Sequence, residues 1–274
     1  MINALSIDLE YWWSVEYLRG FSLEEKNDYL LESLNPLIDL LDKYNTHATF
    51  FVLGKVGEKY PFLIEEIFEK GHEIASHGYS HIPLFELTPN QFEEEIKKSK
   101  IILNKYHPIG FRAPSFSLNI QTKWAFEILI KNGFKYDSSI FPIKTNLYGV
   151  PDSPLHIYRP SLNNITQHDP HGQIIEFPLT VVKLGKNIPI AGGFYLRAIP
   201  LSFLKWGIHR TNKENRPAII SVHPWETYLG TPRVKMPFTS NIVTYFGIKK
   251  TLKKIEALLK EFSFKPAREI LYDI

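Results

Sequence analysis

Short apolar runs alternate with amphipathic, helix-like stretches along most of the chain. The first apolar run, 2–7, predicts a strand, and an acidic and aromatic loop follows it at 8–17. Further apolar runs predict strands at 48–53, 73–76, 109–111, 134–136, 174–177 and 218–222. This alternation with short connections predicts a parallel sheet covered by helices, and the repeated strand, loop and helix order favours a closed or nearly closed barrel.

Capping residues locate several of the helices between these strands. Asn35 followed by Pro36 predicts the start of a helix that runs towards residue 44. Pro61 predicts the start of another helix, which Gly71 would end. Two more amphipathic patterns predict helices at 124–131 and 247–262.

The longest predicted helix begins at a capping box, and one segment of the chain has no periodicity. Thr88 with Gln91 forms the box, and the helical pattern continues to about residue 103. Residues 142–173 contain five prolines and interrupt the alternation of strands and helices. We interpret this segment as an irregular excursion from the domain and not as a linker.

Composition indicates one globular domain. The 274 residues are 44% hydrophobic and 22% charged and include no cysteine, which excludes a disordered, collagenous or disulfide-stapled protein. A single α/β barrel commonly takes about 250 residues, so we interpret 1–274 as one catalytic domain. Without cysteine, any metal or acid–base chemistry falls to His, Asp and Glu.

Charge and hydropathy restrict the partners. The 32 basic and 29 acidic residues leave a net charge of +3, and the bases are scattered, which argues against nucleic-acid binding. The basic run at 249–254 has helical spacing and is typical of a solvated helix face. No stretch approaches the roughly 20 apolar residues of a membrane span, and the first residues lack a basic leader, so we expect no membrane segment and a cytoplasmic location.

Polar residues follow the ends of the predicted strands, where active sites of α/β sheets lie. These residues are Asp8, Glu10, His77, His81, Arg112, Asp137 and His223. Two histidines four apart on a helical turn share one face and could meet one metal ion with an acid from another strand, which leaves a position open for water. Asp8 and Glu10 lie two apart on an extended chain, which suits a metal ligand beside a general base. The alternatives are ordinary surface or core histidines, a solvated acidic loop, and a structural ion pair for Arg112 and Asp137.

Five segments in order along the chain resemble the motifs of the polysaccharide deacetylases, carbohydrate esterase family 4. They are SIDLE (6–10), SHGYSH (76–81), FRAPSFS (111–117), YDSSIFP (136–142) and SVHPWE (221–226). ATFFVLG (48–54) and GHEIASHGYSH (71–81) are particularly similar. The HPWE segment, preceded by AGGFYLR (191–197), resembles the subgroup linked to exopolysaccharide synthesis. The resemblance covers roughly residues 4–270.

The resemblance implies a distorted, incomplete (β/α)7 barrel and a role for each matched residue. Asp8 matches the catalytic base, Arg112 the arginine that pairs with it, and His223 the catalytic acid. His77 and His81 match the two metal-binding histidines. The implied cofactor is a divalent metal ion, with zinc as the first choice, and the implied partner is an acetylated glycan.

Two departures from the family pattern concern the acids. Leu9 follows Asp8 where many members have a second aspartate, so the metal-binding acid moves to Glu10, and Tyr11 stands where the subgroup usually has an aspartate. Ile140 stands where the family often has the acid that tunes the catalytic histidine. Asp137 or Glu226 could take over this role.

A third departure is Ser115, which replaces the usual tyrosine after Arg-x-Pro. The family uses the backbone N–H at this position to stabilise the oxyanion, so the replacement conserves the donor. Four aromatic residues near the motifs could stack on pyranose rings or simply pack in the core: Tyr79, Phe116, Phe194 and Trp225.

The sequence therefore predicts a metal-dependent hydrolase that removes N-acetyl groups from the amino-sugar units of a polysaccharide or oligosaccharide. Two alternatives stay open. One is a metal-dependent amidohydrolase that acts on a small amide, because the same residues would serve it. The other is a catalytically silent glycan-binding homologue that retains the fold, suggested by Tyr11 and Ile140.

Overall fold

The computed structural model describes residues 1–19, 27–145 and 148–272. Ten strands are present in this part of the chain: β1 (Asn3–Leu9), β2 (Thr49–Val52), β3 (Glu73–Ser76), β4 (Gly110–Phe111), β5 (Tyr136–Asp137), β6 (Ile175–Glu176), β7 (Val181–Leu184), β8 (Lys186–Pro189), β9 (Ile219–Val222) and β10 (Phe264–Lys265). Eight of them form one parallel sheet in the order β10-β1-β2-β3-β4-β5-β6, with β9 also paired to β1. β7 and β8 form a separate antiparallel hairpin.

The curled sheet does not close into a complete barrel. Among the described residues, β6 and β9 share no ladder of hydrogen bonds. Thr180 spans the gap instead, because its Oγ1 donates to the Ile219 carbonyl at 3.0 Å and accepts from the Ile219 N–H at 2.7 Å. The predicted distorted, incomplete (β/α) barrel is therefore confirmed.

Helices cover the outside of the sheet. Their bounds are α1 (Leu30–Lys43), α2 (Gly54–Lys59), α3 (Pro61–Glu69), α4 (Pro89–Leu103), α5 (Ala125–Lys131), α6 (Gly193–Ala198), α7 (Leu201–Lys213), α8 (Phe238–Tyr245), α9 (Ile248–Leu259) and α10 (Ala267–Tyr272). The predicted capping box at Thr88 and Gln91 is present at the start of α4, with Gln91 Oε1 accepting from the Thr88 N–H at 2.9 Å. In the described part of the chain, no helix is long and apolar enough to span a bilayer.

The predicted start of α1 at Asn35 and Pro36 is wrong. The helix begins at Leu30, whose N–H donates to Asp28 Oδ1 at 3.2 Å, and Pro36 lies inside it. The proline removes one backbone hydrogen bond, but the apolar face that starts at Leu30 is buried along the helix, and this burial outweighs the loss.

The irregular segment and the C-terminal elements complete the fold. Residues 148–173 contain no helix or strand. One isolated bridge pairs Tyr158 with Glu176 of β6, and another pairs Pro160 with His168 within the segment. The predicted excursion also includes residues 146–147, which lie outside the described residues. The hairpin β7–β8 and the helices α2, α6, α7, α8 and α10 were not predicted from the sequence.

Candidate active site

A cavity of about 150 Å³ lies beyond the carboxyl-terminal ends of the central strands. Most of the predicted site residues line it: Asp8, Glu10, His77, His81, Ser115, Phe116, Phe194, His223 and Trp225. Except for Phe194, which lies in α6, these residues lie at or after the ends of strands that pair in one sheet, so the parallel topology brings them to the same edge.

Glu10, His77 and His81 form a buried cluster that could hold a metal ion. One potential ligand atom from each lies within 4.8 Å of the other two. Glu10 Oε2 is 2.5 Å from His81 Nε2 and 3.6 Å from His77 Nε2. This carboxylate oxygen is buried and, despite its short contact with His81, makes no hydrogen bond of regular geometry among the described residues.

The donor set fits a divalent cation. His77 Nδ1–H donates to the Arg112 carbonyl at 2.8 Å, which fixes the imidazole tautomer and leaves Nε2 as a potential ligand. Burial raises the pKa of Glu10, but His81 and His223 together lower it well below its usual value, so its carboxyl is ionised. Two imidazoles and one carboxylate are a ligand set that catalytic zinc sites use.

The two histidines converge through a loop and not through a helical turn, so the predicted shared helical face is wrong. Gly78 has φ of +76° and His81 has φ of +62°, both left-handed, which turns the chain tightly after β3. The Glu95 carboxylate on α4 accepts the N–H groups of Tyr79 at 3.3 Å and Ser80 at 2.8 Å. These contacts hold the loop so that the imidazoles meet at Glu10.

Arg112 forms a buried ion pair with Asp8. Its buried guanidinium donates from Nη1 to Asp8 Oδ1 at 2.6 Å and to the hydroxyls of Ser6 and Ser221 at 2.8 and 2.9 Å. Nη2 donates to Ser138 Oγ at 2.9 Å. The Arg112 side chain is 0% exposed, so the pair is screened from water and the Asp8 carboxylate has a fixed orientation.

His223 faces both acids across the cavity. Its Nε2 is 3.6 Å from Asp8 Oδ2 and 3.7 Å from Glu10 Oε1. On the other side of the ring, Nδ1–H donates to Glu226 Oε2 at 2.8 Å, and the His223 backbone N–H donates to the same oxygen at 3.0 Å. Arg197 Nε donates to Glu226 Oε1 at 2.6 Å, which completes a buried chain of three side chains.

This chain of contacts controls the charge of His223. Burial lowers the pKa of its imidazole, but the negative charges of Glu226 and Glu10 outweigh that effect and raise the pKa to about 9. For Glu226, burial raises the pKa, but Arg197 and His223 lower it to about 2. At neutral pH the pair is therefore an imidazolium beside a carboxylate.

Asp137 does not join this set, which corrects the prediction of a catalytic role. The side chain is buried, does not line the cavity, and accepts from Ser139 Oγ at 2.6 Å and from the Ser139 N–H at 3.0 Å. Burial raises the pKa of Asp137. Burial and the neighbouring charge of Asp137 together raise the pKa of Glu176 well above its usual value. Glu226 is the acid that contacts the histidine.

Tyr79 also lies outside the cavity, which corrects its predicted role in substrate binding. After the turn at Gly78 its ring packs close to Gly54, and its hydroxyl donates to Glu58 at 3.0 Å. The ammonium groups of Lys55 and Lys98 lie 5.9 and 5.4 Å from the ring centre.

Sequence reasoning missed several residues that line the cavity. Glu16 accepts from Ser115 Oγ at 3.0 Å, where Ser115 has a left-handed φ of 54°. Tyr148, from the irregular segment, lines the opposite part of the cavity and stacks on Phe141 with the planes 4° apart. Arg197 stood in the quoted AGGFYLR segment without a role. No local sequence pattern indicates that Glu16 or Tyr148 belongs to the site, because the segments that carry them reach the cavity only in the folded chain.

Two family models match consecutive parts of the chain. A model described as polysaccharide deacetylase matches residues 27–135, and a domain of unknown function, DUF3473, matches residues 138–272. The cavity draws on both parts and on β1. His77, His81 and Arg112 lie in the first match, while Arg197, His223 and Glu226 lie in the second.

Curated relatives resemble a limited part of the chain. A peptidoglycan-N-acetylglucosamine deacetylase of Bacillus cereus is 38% identical over 101 residues, which are 35% of this chain and 37% of that protein. A peptidoglycan deacetylase of Helicobacter pylori is 35% identical over 107 residues, 38% of this chain and 36% of the relative. The matches thus span little more than a third of the length of these relatives.

Solved structures share the fold over the whole chain. A Mycobacterium smegmatis protein classed as a polysaccharide deacetylase has a TM-score of 0.67 at 17% identity, covering 100% of this chain and 89% of that one. The PuuE allantoinase has a TM-score of 0.61 at 14% identity, covering 99% and 89%. The likeness to these structures shows the fold, and the matched family model identifies a polysaccharide deacetylase domain over residues 27–135.

Proposed function

We propose that this protein is a metal-dependent hydrolase that removes N-acetyl groups from amino-sugar units of a polysaccharide or its oligosaccharide precursor. One observation carries the proposal. A single cavity combines the Glu10, His77 and His81 cluster with an arginine-held Asp8 and a protonated His223. Amide hydrolysis needs this combination of electrophile, base and acid.

We assign a separate role in the reaction to each residue of the site. A divalent ion held by Glu10, His77 and His81, with zinc the first choice, would supply an acidified water and polarise the acetamide carbonyl. Asp8 accepts the proton of the attacking water, and the Ser115 N–H donates to the developing oxyanion. His223 gives its proton to the departing nitrogen. Acetate and a free amine are the products, and one water is consumed.

Glu226 and Arg197 prepare His223 for this step. The hydrogen bond from Nδ1 to Glu226 leaves Nε2 as the nitrogen that faces the cavity. Arg197 fixes the Glu226 carboxylate and also donates to the Val243 carbonyl at 2.7 Å, so its own position is set by the C-terminal helices. The amide nitrogen leaves only when protonated, and a histidine with a raised pKa carries that proton at neutral pH.

The names of the curated relatives support an amino-sugar polymer as the substrate. They include peptidoglycan deacetylases that act on N-acetylglucosamine or N-acetylmuramic acid. The HPWE and AGGFYLR segments and the matched C-terminal domain of unknown function favour an exopolysaccharide over peptidoglycan, and we extend the proposal to that subgroup.

A small amide is the second candidate substrate. The fold is shared with an allantoinase at a TM-score of 0.61, and the cavity of about 150 Å³ is small for a polymer on its own. The same base, acid and metal cluster would hydrolyse such an amide.

Acetate release from N-acetylglucosamine oligomers and bacterial exopolysaccharides, with added zinc or cobalt, tests the proposal. We expect release from a glycan and its loss in His223→Ala, while His209→Ala, a change at a surface histidine paired with Glu261, keeps it. Hydrolysis of small amides alone would favour the amidohydrolase. Glycan binding without any hydrolysis would indicate the silent homologue.

A further inference from the structure

A second cavity adjoins the candidate active site. It has a volume of about 440 Å³, within the range of about 300–1,000 Å³ typical of ligand pockets. Ser14 and His81 line both this cavity and the catalytic one. The two cavities therefore adjoin at His81, one of the proposed metal ligands. A glycan chain whose acetylated unit sits in the first cavity could therefore extend into the second.

The two cavities differ in charge. Asp8, Glu10, Glu16 and Glu226 all line the catalytic cavity. No Asp or Glu among the described residues lines the second one, while three cations do, namely Arg19, Lys55 and Lys59. The wall of the second cavity is thus suited to an anionic group.

Lys55 is the cation available to a ligand. Arg19 is paired with Glu86 at 2.5 Å, and Lys59 is paired with Asp28 at 2.6 Å. Lys55 is exposed and has no carboxylate partner in the described ranges. Its ammonium lies 5.9 Å from the centre of the Tyr79 ring and is not neutralised by a described carboxylate.

Tyr11, the departure noted directly after the first motif, forms part of this cavity. Its ring stacks on Trp13 at 4.6 Å with the planes 8° apart, and its hydroxyl donates to the Lys55 carbonyl at 3.4 Å. The ammonium of Lys59 lies 6.0 Å from the ring centre. An aspartate at this position would place a negative charge beside the cations, whereas tyrosine keeps the wall neutral and aromatic.

We propose that this second cavity, defined by Tyr11, Lys55 and Lys59, binds the carboxylate of an acidic sugar next to the N-acetylated unit. The proposal rests on the proposed function, since it names the class of glycan that the same site accepts. Lys55 donates a charge-assisted hydrogen bond to the sugar carboxylate. The substrate is then an acidic polysaccharide in which amino sugars alternate or mix with uronic acid units.

The test compares two tetrasaccharides, one with ionised carboxyls and one in which methyl esters remove the charge. A tetrasaccharide of alternating glucuronic acid and N-acetylglucosamine is titrated into the metal-free protein by calorimetry, next to the same tetrasaccharide with its carboxyls methyl-esterified. An exposed ion pair contributes up to about 1 kcal/mol, so we expect about 3- to 5-fold tighter binding of the acid form, reduced at high salt. Lys55→Ala should remove this preference and Lys55→Arg should keep it.

Lys98→Ala is the matched control. Lys98 is an exposed lysine beside the same Tyr79 ring, but it does not line the cavity. Equal affinity for the two tetrasaccharides in the wild type, or an equal loss of preference in Lys98→Ala, would overturn the subsite. Competition by inorganic phosphate, but not by glucuronate, would assign the cavity to a phosphate and also overturn it. Acetate release from the esterified form tests the proposed function separately, because that ligand carries no carboxylate.

Discussion

Glu226→Gln separates the charge of the Glu226 side chain from its shape. The substitution keeps a carbonyl oxygen that can accept from His223 Nδ1, which lies 2.8 Å from the present carboxylate. It removes the negative charge that Arg197 holds in place from the far side. Any change in the titration of His223 then reports the electrostatic contribution of this carboxylate.

The expected change is large. The pKa of His223 is raised from 6.5 to about 9, which corresponds to roughly 3.5 kcal/mol at about 1.4 kcal/mol per pKa unit. In the variant burial still lowers the pKa of His223, while Glu10 and Asp8 still raise it, so we expect a pKa well below that of the wild type. A return to the ordinary value of about 6.5 would lower the protonated fraction at pH 7.5 from about 97% to about 10%, so we expect acetate release to fall by up to about tenfold.

The assay is an NMR titration of the His223 ring proton in metal-free protein, together with the pH profile of acetate release. The basic limb of that profile should move to lower pH, with activity partly recovered near pH 6. Because Glu226→Gln leaves Arg197 buried without its partner, a loss of about 3–5 kcal/mol in stability is expected, and the double variant Arg197→Met, Glu226→Gln controls for it. A His223 midpoint that stays above pH 8 in both variants would refute the reasoning.

Three further outcomes follow from the site and its surroundings. Asp8→Asn should lower acetate release about 10²- to 10⁴-fold with metal content intact, whereas His77→Ala should lose both; equal metal loss, measured by elemental analysis, would contradict the assigned roles. Arg112→Met should lower the free energy of unfolding in urea by about 3–5 kcal/mol, because the buried Asp8 loses its partner, and adding Asp8→Asn should recover most of it. The pKa of Glu176 is raised in the folded state, so wild-type stability should fall as pH rises above about 4.5; Glu176→Gln should flatten this decline between pH 5 and 8, and an unchanged slope would count against it.

Local signals in the sequence predicted those elements whose ends are set by neighbouring residues. Thr88 and Gln91 bond to each other, so a four-residue pattern was sufficient to place the start of α4. Pro36 misled the prediction because proline is also tolerated inside a helix whose apolar face is buried. α7 and the hairpin β7–β8 lack an equally clear local pattern and depend on packing against the rest of the fold.

In the site, too, local patterns were predicted and features that depend on packing were not. Asp8 and Glu10 could be predicted to face one way because alternate residues of a strand share a side. His77 and His81 do converge, but through the turn at Gly78 and not on the helical turn that was predicted. That turn also carries the next residue, Tyr79, away from the cavity.

Contacts between distant segments could not be predicted. Glu226 was one of two acids considered as the partner of His223, and only the folded chain distinguishes it from Asp137. Arg197 reaches Glu226 because α6 packs beneath the C-terminal helices, and Tyr148 enters the cavity from an irregular segment. Neither arrangement has a periodic signature in the sequence.

The buried Arg112 has a consequence for the order in which this protein can fold. Its guanidinium bonds to Asp8, 104 residues before it, and to Ser221, 109 residues after it. Such non-local contacts form late, because the entropy of closing long loops must be overcome before the contacts stabilise the chain. We therefore expect the catalytic centre to be acquired in the last stage of folding, after the N-terminal strand and the C-terminal region have both docked. Neither the segment 27–135 nor the segment 138–272 would be active when expressed alone.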